Sequence, residues 1–255
     1  MAKTKKIHKK KDTFIIIMPA YNEENCIEKV VSSWIKVVNR HPGSEMLVIN
    51  DGSKDKTKKK IDKLKNKFRK LKVLHKNNEG HGPTIMEGYW RAIKTSHSWV
   101  FQTDSDDQYP PEYFHKLWKM RHKSNFVLGY RLRMKEPLIR IILSRMYSIF
   151  NTAVFGISIK DANTSFRLMK REYLKKLLKV LPKNLVAPNI FLSLLASLDN
   201  HNVVHVPVPH QERKTGKISI LGWNLFRLCV RGFRELVSLR LKLKRIIKIL
   251  DKTHI

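Results

Sequence analysis

Four carboxylates crowd into residues 104–112, directly after a short apolar segment. Asp104 and Asp106 are two residues apart, so in extended chain their side chains project to the same side, about 6.6 Å apart along the strand. Such carboxylates repel each other, and a bound cation relieves the repulsion. Oxygen ligands favour a hard ion, Mg²⁺ or Mn²⁺, with open positions for phosphate oxygens. An acidic cap on a helix beginning near Pro110 is the alternative, and both interpretations can hold together.

Three other polar segments also follow strand-like runs. They are Pro19-Ala20-Tyr21-Asn22-Glu23-Glu24, Asn50-Asp51-Gly52-Ser53 and Asn78-Glu79-Gly80-His81-Gly82. Each could be an ordinary turn when taken singly. Because the carboxyl ends of parallel strands meet at one edge of a sheet, all four segments should converge there. Together they outline a crevice with oxygen acceptors for a base and a ribose, backbone amides for phosphate, and a metal.

The elements that must position these segments alternate in type through the first half of the chain. Continuous apolar runs predict buried strands over residues 14–18, 46–49, 71–74 and 99–103. Apolar residues at helical spacing predict helices over 24–40, 54–70 and 84–93. In the second half we expect strands over 126–129 and 203–208 and an apolar helix over 138–154. The alternation predicts an α/β fold, an open and mostly parallel Rossmann-like sheet with helices on both faces.

The composition is strongly basic. Lys and Arg number 52 against 21 Asp and Glu, a formal net charge of +31 in 255 residues. Such a chain is attracted to polyanions, whether nucleic acid, an anionic membrane face or phosphorylated substrates. The basic amphipathic segment 218–250 fits a helix lying on an anionic membrane, or a core-packing helix with a solvated Lys/Arg face. The 42% of hydrophobic residues excludes a wholly disordered chain.

We expect one compact domain over 13–219, preceded by a basic tail over 1–12 and followed by a basic amphipathic helical extension over 220–255. Apolar runs are shorter than the ~20 residues that span a bilayer, and the run at 14–18 leads to no cleavage site. Neither a transmembrane helix nor a signal peptide is therefore predicted. The two cysteines, Cys26 and Cys229, cannot form a disulfide framework, which favours a reducing compartment. These features predict a cytoplasmic protein, peripheral on the cytosolic face of a membrane.

The motifs resemble the inverting family 2 glycosyltransferases of the GT-A fold. The resemblance is closest to the branch of polyprenyl-phosphate glycosyltransferases that includes dolichol-phosphate mannose synthase. Beyond the four segments above, the matching residues are Gly129-Tyr130-Arg131, Ser165-Phe166-Arg167 and Arg213-Lys214-Thr215-Gly216. They follow the order of the family and span about residues 14 to 219. Ser165 departs from the pattern, since the family usually has glycine there.

The resemblance implies roles for the matching residues in the donor site. The nucleotide-sugar-binding positions are Pro19, Ala20, Tyr21, Glu23, Asp51, Gly80, His81, Gly82 and Asp104. Glu23 is implied to reach the ribose, and Asp51 to accept a hydrogen bond from the base. The glycines are implied to let the backbone pass close to the nucleotide. The implied ligands of Mg²⁺ or Mn²⁺ and of the diphosphate are Asp104, Asp106 and Gln108.

Three arginines are implied to lie near donor or acceptor phosphates: Arg131, Arg167 and Arg213. A guanidinium offers phosphate a bidentate fork, although in so basic a chain each arginine could simply be a surface charge. The implied reaction moves a hexose from a GDP- or UDP-sugar to a polyprenyl phosphate with inversion. The implied catalytic residues are Asp106, Arg131 and Arg213.

The acceptor decides whether a general base is needed. A polyprenyl phosphate has a second pKa of ~6 and is largely dianionic at neutral pH, so it needs no base. A sugar or other hydroxyl acceptor would need one, and Asp161 is then the catalytic candidate. The alternative for Asp161 is an ion pair with Arg167.

Two other functions compete with glycosyl transfer. Nucleotidyl transfer also uses an aspartate pair and a diphosphate. A basic nucleic-acid-binding protein is the alternative from another class. The sequence contains no zinc-finger spacing, recognition-helix signature or ribonucleoprotein aromatic motif, and the acidic segment opposes a polyanion groove. We therefore expect no nucleic acid as a partner. The resemblance implies a nucleotide-sugar and a polyprenyl phosphate, and the basic segments favour an anionic membrane surface.

Overall fold

The computed structural model describes residues 12–132, 152–199, 203–213 and 223–251. Its strands are β1 (Phe14–Ala20), β2 (Glu45–Asp51), β3 (Leu71–Lys76), β4 (Trp99–Gln102), β5 (Phe126–Arg131), β6 (Arg167–Lys170) and β7 (Val204–Val208). Its helices are α1 (Ile27–Asn39), α2 (Thr57–Lys67), α3 (His81–Ala92), α4 (Phe114–Met120), α5 (Arg171–Leu178), α6 (Pro188–Leu198) and α7 (Trp223–Asp251). A short 3₁₀ turn over Pro111–Tyr113 leads into α4.

The strands form one seven-stranded sheet in the order β3-β2-β1-β4-β6-β5-β7. The first four strands are parallel, with Ile16 of β1 opposite Met46 on one side and Phe101 on the other. All seven residues of β1 are buried, because hydrophobic clusters cover both faces of the sheet. Phe14 packs in the cluster that contains α1 and α4, whereas Ile15 packs in the cluster of α3, α5 and α6. The predicted α/β fold class is confirmed.

Strand β6 was not predicted, because the sequence indicates no strand at 167–170. It runs antiparallel to both β4 and β5 and sets Arg167 opposite Gln102 and Leu128. Four residues are too short to show a period, and the first is an arginine, so no hydrophobic pattern marks the strand. Neither α5 nor α6 is among the predicted elements. The sheet is therefore mixed, and the parallel half carries the predicted site edge.

Helix α7 packs against the main domain through one face. Five of its residues are buried in the same hydrophobic cluster as α3, α5 and α6, namely Leu236, Leu239, Leu243, Ile246 and Leu250. The boundaries predicted at residues 12 and 219 stay predictions. Most of the helix predicted over 138–154 lies outside the described residues. The described part of that range begins at residue 152, and residues 152–155 are helical. Among the described residues, the helices are too short or too polar to cross a membrane.

Candidate active site

The acidic segment begins two residues after β4 ends, at the carboxyl edge of the parallel strands. Asp104 Oδ1 is buried without a hydrogen-bond partner in the described part of the chain, and His81 Nε2 lies 3.9 Å from it. Burial and the negative charge of Asp104 raise the pKa of Asp106 to about 7. An unpartnered carboxylate oxygen beside a second, repelled carboxylate is an arrangement that a divalent cation stabilises. The two aspartates therefore fit a metal.

Gln108 joins the acidic segment to the chain after β7. Its side-chain amide Nε2 donates to Gln211 O at 3.0 Å, and Gln211 N donates back to Gln108 O at 2.9 Å. In the described ranges, no group of three or more His, Cys, Asp or Glu side chains is arranged to hold a metal. If Asp104, Asp106 and the Gln108 side-chain oxygen held an ion, coordination positions would remain for phosphate oxygens, as Mg²⁺ and Mn²⁺ prefer.

Glu23 and Arg213 meet at the same edge although 190 residues separate them in the sequence. Arg213 donates to Glu23 Oε1 at 2.6 Å, and the thiol of Cys26 donates to Oε2 at 3.3 Å. Burial raises the pKa of the Glu23 carboxyl, while the positive charge of Arg213 opposes that shift. The residue implied to reach the ribose is therefore engaged by one of the arginines implied to bind phosphate. A ribose hydroxyl would have to share or replace this ion pair.

Asp51 ties the loop after β2 to the loop after β3. Its two carboxylate oxygens accept hydrogen bonds from the backbone amides of Glu79 at 3.0 Å and Gly80 at 2.9 Å. Gly52 has φ +66°, and a Cβ there would lie 2.6 Å from the backbone nitrogen of Asn78. This close approach requires glycine. The contact between Asp51 and a base stays a prediction.

The residues around the start of α3 differ in whether they require glycine. Gly80 has φ +93° with open space around its missing Cβ, and the His81 side chain is half-exposed. A Cβ at Gly82 would lie 2.3 Å from the carbonyl oxygens of both Leu185 and Val186. Gly82 is thus required by packing within the protein, and the implied approach of the nucleotide to these glycines stays a prediction. Of the residues ending β1, Pro19 and Ala20 are buried and Tyr21 is half-buried.

We predict that Gly82→Ala lowers the free energy of unfolding by about 3 kcal/mol, because backbone carbonyls cannot rotate away from the added methyl. Chemical denaturation measures this change. Gly80→Ala, two residues earlier, is the comparison: its added methyl meets no atom, so it should cost less, about 1–2 kcal/mol, from a positive-φ backbone that favours glycine. Equal effects of the two substitutions would contradict the packing assigned to Gly82.

Arg131 holds Asp161 in a bidentate ion pair. Its Nε and one terminal nitrogen donate to the two Asp161 oxygens, each at 2.7 Å, and its backbone nitrogen donates to Oδ2 at 3.1 Å. Asp161 has φ +53°, so its backbone also holds an uncommon conformation. The alternative pairing with Arg167 is wrong, because Arg131 at the end of β5 reaches Asp161 instead. Because both Asp161 oxygens accept hydrogen bonds from Arg131, this arrangement disfavours Asp161 as a general base.

Arg167 lies beneath the site and has no exposed surface. Its guanidinium donates to the backbone carbonyl oxygens of Ala162 at 3.1 Å and Asn189 at 2.9 Å, and its Nε donates to that of Thr164 at 2.9 Å. These bonds hold the segment before β6 and the start of α6 together. Arg167 was implied to bind phosphate; the structure corrects this, because the side chain is enclosed by carbonyl oxygens and cannot reach a ligand in the cleft.

His210 is a site residue that sequence reasoning missed. Its ring packs edge-on against Tyr109, with centroids 5.0 Å apart. Burial and the nearby charge of Arg131 lower the pKa of His210 to about 4, so the ring is neutral at neutral pH. The signal available in the sequence was its position directly after a predicted strand and three residues before Arg213.

Comparisons with known proteins agree with this geometry. The family model described as Glycosyl transferase family 2 matches residues 15–178. Polyprenol monophosphomannose synthase from Mycolicibacterium smegmatis is 26% identical over 234 residues, which cover 86% of this chain and 87% of the relative. Undecaprenyl-phosphate mannosyltransferase from Micrococcus luteus is 21% identical over 215 residues, which cover 82% of this chain and 87% of the relative.

A solved structure has the same architecture. Glucosyl-3-phosphoglycerate synthase from Mycobacterium tuberculosis, crystallised with Mn²⁺, uridine diphosphate and phosphoglyceric acid, has a TM-score of 0.66 at 16% identity. The match covers 90% of this chain and 78% of that one. At this identity the likeness establishes the GT-A-like fold. Since the family model extends from β1 through α5, the chain belongs to glycosyl transferase family 2 and is a glycosyltransferase, as its motifs predicted.

Proposed function

We propose that the enzyme transfers a hexose from a GDP- or UDP-sugar to a polyprenyl phosphate, with inversion and with the help of Mg²⁺ or Mn²⁺. The observation that carries the proposal is the convergence of four charged groups at one sheet edge. Burial raises the pKa of both Glu23 and Asp106, the negative charge of Asp104 adds to this shift, and the positive charge of Arg213 opposes it. Such closely coupled groups of opposite sign suit a diphosphate that arrives with a cation.

The donor site is proposed to lie between the acidic segment and the loops after β1, β2 and β3. Asp104, Asp106 and Gln108 would hold the ion, which when bound neutralises the charge on the departing nucleoside diphosphate. We propose that the half-buried Tyr21 lines the nucleoside pocket, together with the two loops that Asp51 joins, one after β2 and one after β3. When substrate binds, Arg213 would release Glu23 and donate instead to a phosphate of the donor or of the acceptor. Its guanidinium fork is suited to both partners, since carboxylate and phosphate offer similar oxygens.

A polyprenyl phosphate acceptor fits the residues around Arg131. The acceptor dianion supplies its own nucleophilic oxygen, so the chain needs to orient it and need not remove a proton. Arg131 is fixed by Asp161 and is therefore pre-organised to present positive charge at the end of β5. The names of the two mannosyl-transferring relatives, a polyprenol monophosphomannose synthase and an undecaprenyl-phosphate mannosyltransferase, support the same acceptor class.

A hydroxyl acceptor is the second candidate, with Asp161 as the base. The observation against it is the pair of 2.7 Å bonds by which Arg131 engages both Asp161 oxygens. Removing a proton from a hydroxyl would require one of these bonds to open. We therefore place Asp161 as the residue that positions Arg131, and phosphate as the acceptor.

The proposed lipid acceptor also indicates where the enzyme would work. Polyprenyl chains are long hydrocarbons, so their phosphates stay at the surface of a membrane. A chain with a net charge of +31 is attracted to an anionic membrane face. We propose that the enzyme works as a peripheral protein on the cytosolic face.

Product tracing tests the proposal. The enzyme is incubated with Mn²⁺ or Mg²⁺, a polyprenyl phosphate, and GDP-mannose or UDP-glucose labelled either in the sugar or in the nucleoside. The expected result is that only sugar label enters the lipid fraction. Nucleoside label in the lipid would indicate nucleotidyl transfer instead. Transfer to water-soluble hydroxyl acceptors, with none to lipid, would contradict the proposed acceptor.

A further inference from the structure

Helix α7 has two apolar faces, although packing against the domain uses only one. The packed face consists of Leu236, Leu239, Leu243, Ile246 and Leu250, and each is at most 6% exposed. At ~100° per residue these five positions fall within a sector about 80° wide. A helix that merely covers the core would be polar on the remaining surface.

The opposite face of α7 carries large apolar side chains in contact with solvent. Leu241 is 82% exposed, Val237 is 40% exposed and Val230 is 37% exposed. At ~100° per residue they lie within about 40° of one another and roughly 180° from the packed face. Phe233, 49% exposed, borders them one turn away. We call Val230, Phe233, Val237 and Leu241 the outer stripe.

Basic side chains surround the outer stripe. Along residues 227–250, the exposed cationic side chains are Arg227, Arg231, Arg234, Arg240, Lys242, Lys244, Arg245 and Lys248. The acidic side chain described on this stretch is Glu235, which accepts hydrogen bonds from Arg231 at 3.1 Å and from the Val186 backbone at 3.2 Å. The surface around the stripe is therefore strongly positive. Long Lys and Arg side chains can reach past an apolar stripe to anionic groups on either side of it.

We infer that the outer stripe of α7 is the surface by which the enzyme inserts into an anionic lipid bilayer. An exposed apolar row with cationic flanks matches an interfacial helix, whose apolar side enters the boundary between headgroups and acyl chains. The flanking cations would contact lipid phosphates. A second copy of this chain fits less well, because two such positive surfaces repel each other. The inference rests on the proposed function only in giving the lipid acceptor as the reason for membrane contact.

Vesicle co-sedimentation tests the inference with the full chain. Vesicles of phosphatidylcholine with phosphatidylglycerol should bind the protein at low salt, and phosphatidylcholine alone should bind it more weakly. Leu241→Ser should weaken binding about tenfold, since an inserted leucine side chain is lost from the bilayer boundary. Leu241→Met keeps the apolar surface and is the matched control, which should bind like the unchanged protein. Leu241 is exposed, so neither substitution should change thermal unfolding.

An activity comparison separates this inference from the proposed function. The double variant Val237→Ser/Leu241→Ser should transfer sugar to a short-chain, water-soluble polyprenyl phosphate at the normal rate. With long-chain acceptor in the anionic vesicles, its rate should fall about tenfold or more. If the unchanged protein transfers no sugar to either acceptor, the proposed function fails while the vesicle result still stands. Vesicle binding unaffected by the double variant, or self-association through the stripe in its place, would overturn the inference.

Discussion

Asp104→Asn and Asp106→Asn are each expected to lower the rate of sugar transfer by at least about 1000-fold. Each substitution removes a negative oxygen from the site proposed to hold the divalent ion, and therefore the stabilisation of the leaving diphosphate. The fold should persist, because Asp104 Oδ1 makes no hydrogen bond among the described residues. Initial rates with saturating Mn²⁺ measure the loss.

Glu112→Gln is the matched control for this prediction. Glu112 belongs to the same acidic segment but is exposed in the 3₁₀ turn. The transfer rate of Glu112→Gln should equal that of the unchanged enzyme.

The unfolding temperature of Asp106→Asn should be equal to that of the unchanged protein or higher at pH 7, since the raised pKa of Asp106 shows that burial disfavours its charged form. Retained activity in both aspartate variants would contradict the metal assignment.

Arg167→Met is expected to destabilise the protein by about 4 kcal/mol. The methionine fills much of the volume but leaves the Thr164 carbonyl oxygen buried without its donor, and it leaves those of Ala162 and Asn189 to share the single hydroxyl of Ser193. For a chain of this size the unfolding temperature should fall by roughly 8–16 °C. Thermal unfolding followed by circular dichroism measures the shift.

Arg91→Met is the comparison for Arg167→Met. Arg91 is half-exposed and forms a surface ion pair with Glu87 on α3, so its removal should cost less than about 1 kcal/mol. The measurement also separates the two roles considered for Arg167. If Arg167→Met were as stable as the unchanged protein but bound acceptor phosphate more weakly, the result would support the ligand role implied by the family motif.

The parallel half of the fold was predictable because its signals are local. Continuous apolar runs mark the four strands, and β1 is buried along its whole length. A polar segment follows each strand, and parallel pairing alone brings these segments to one edge. The acidic segment could therefore be placed in the site from the sequence.

The remaining site contacts depend on pairing between distant residues, which one sequence does not reveal. Strand β6 inserts antiparallel between β4 and β5 and carries Arg167 into the interior. Arg131 and Asp161 are 30 residues apart, and nothing in the sequence between them indicates that they meet. Glu23 meets Arg213 only because the chain after β7 returns to the loop after β1. In each case the motif identified an important residue but not the group that it contacts.

The most direct test of the central claim is metal-dependent donor binding, measured as the shift in unfolding temperature with GDP- and UDP-sugars, with and without Mn²⁺. We predict that one donor class raises the unfolding temperature only when the ion is present, and that Asp104→Asn and Asp106→Asn abolish this shift. Equal stabilisation by donor without the ion, or a full shift in either variant, would contradict it.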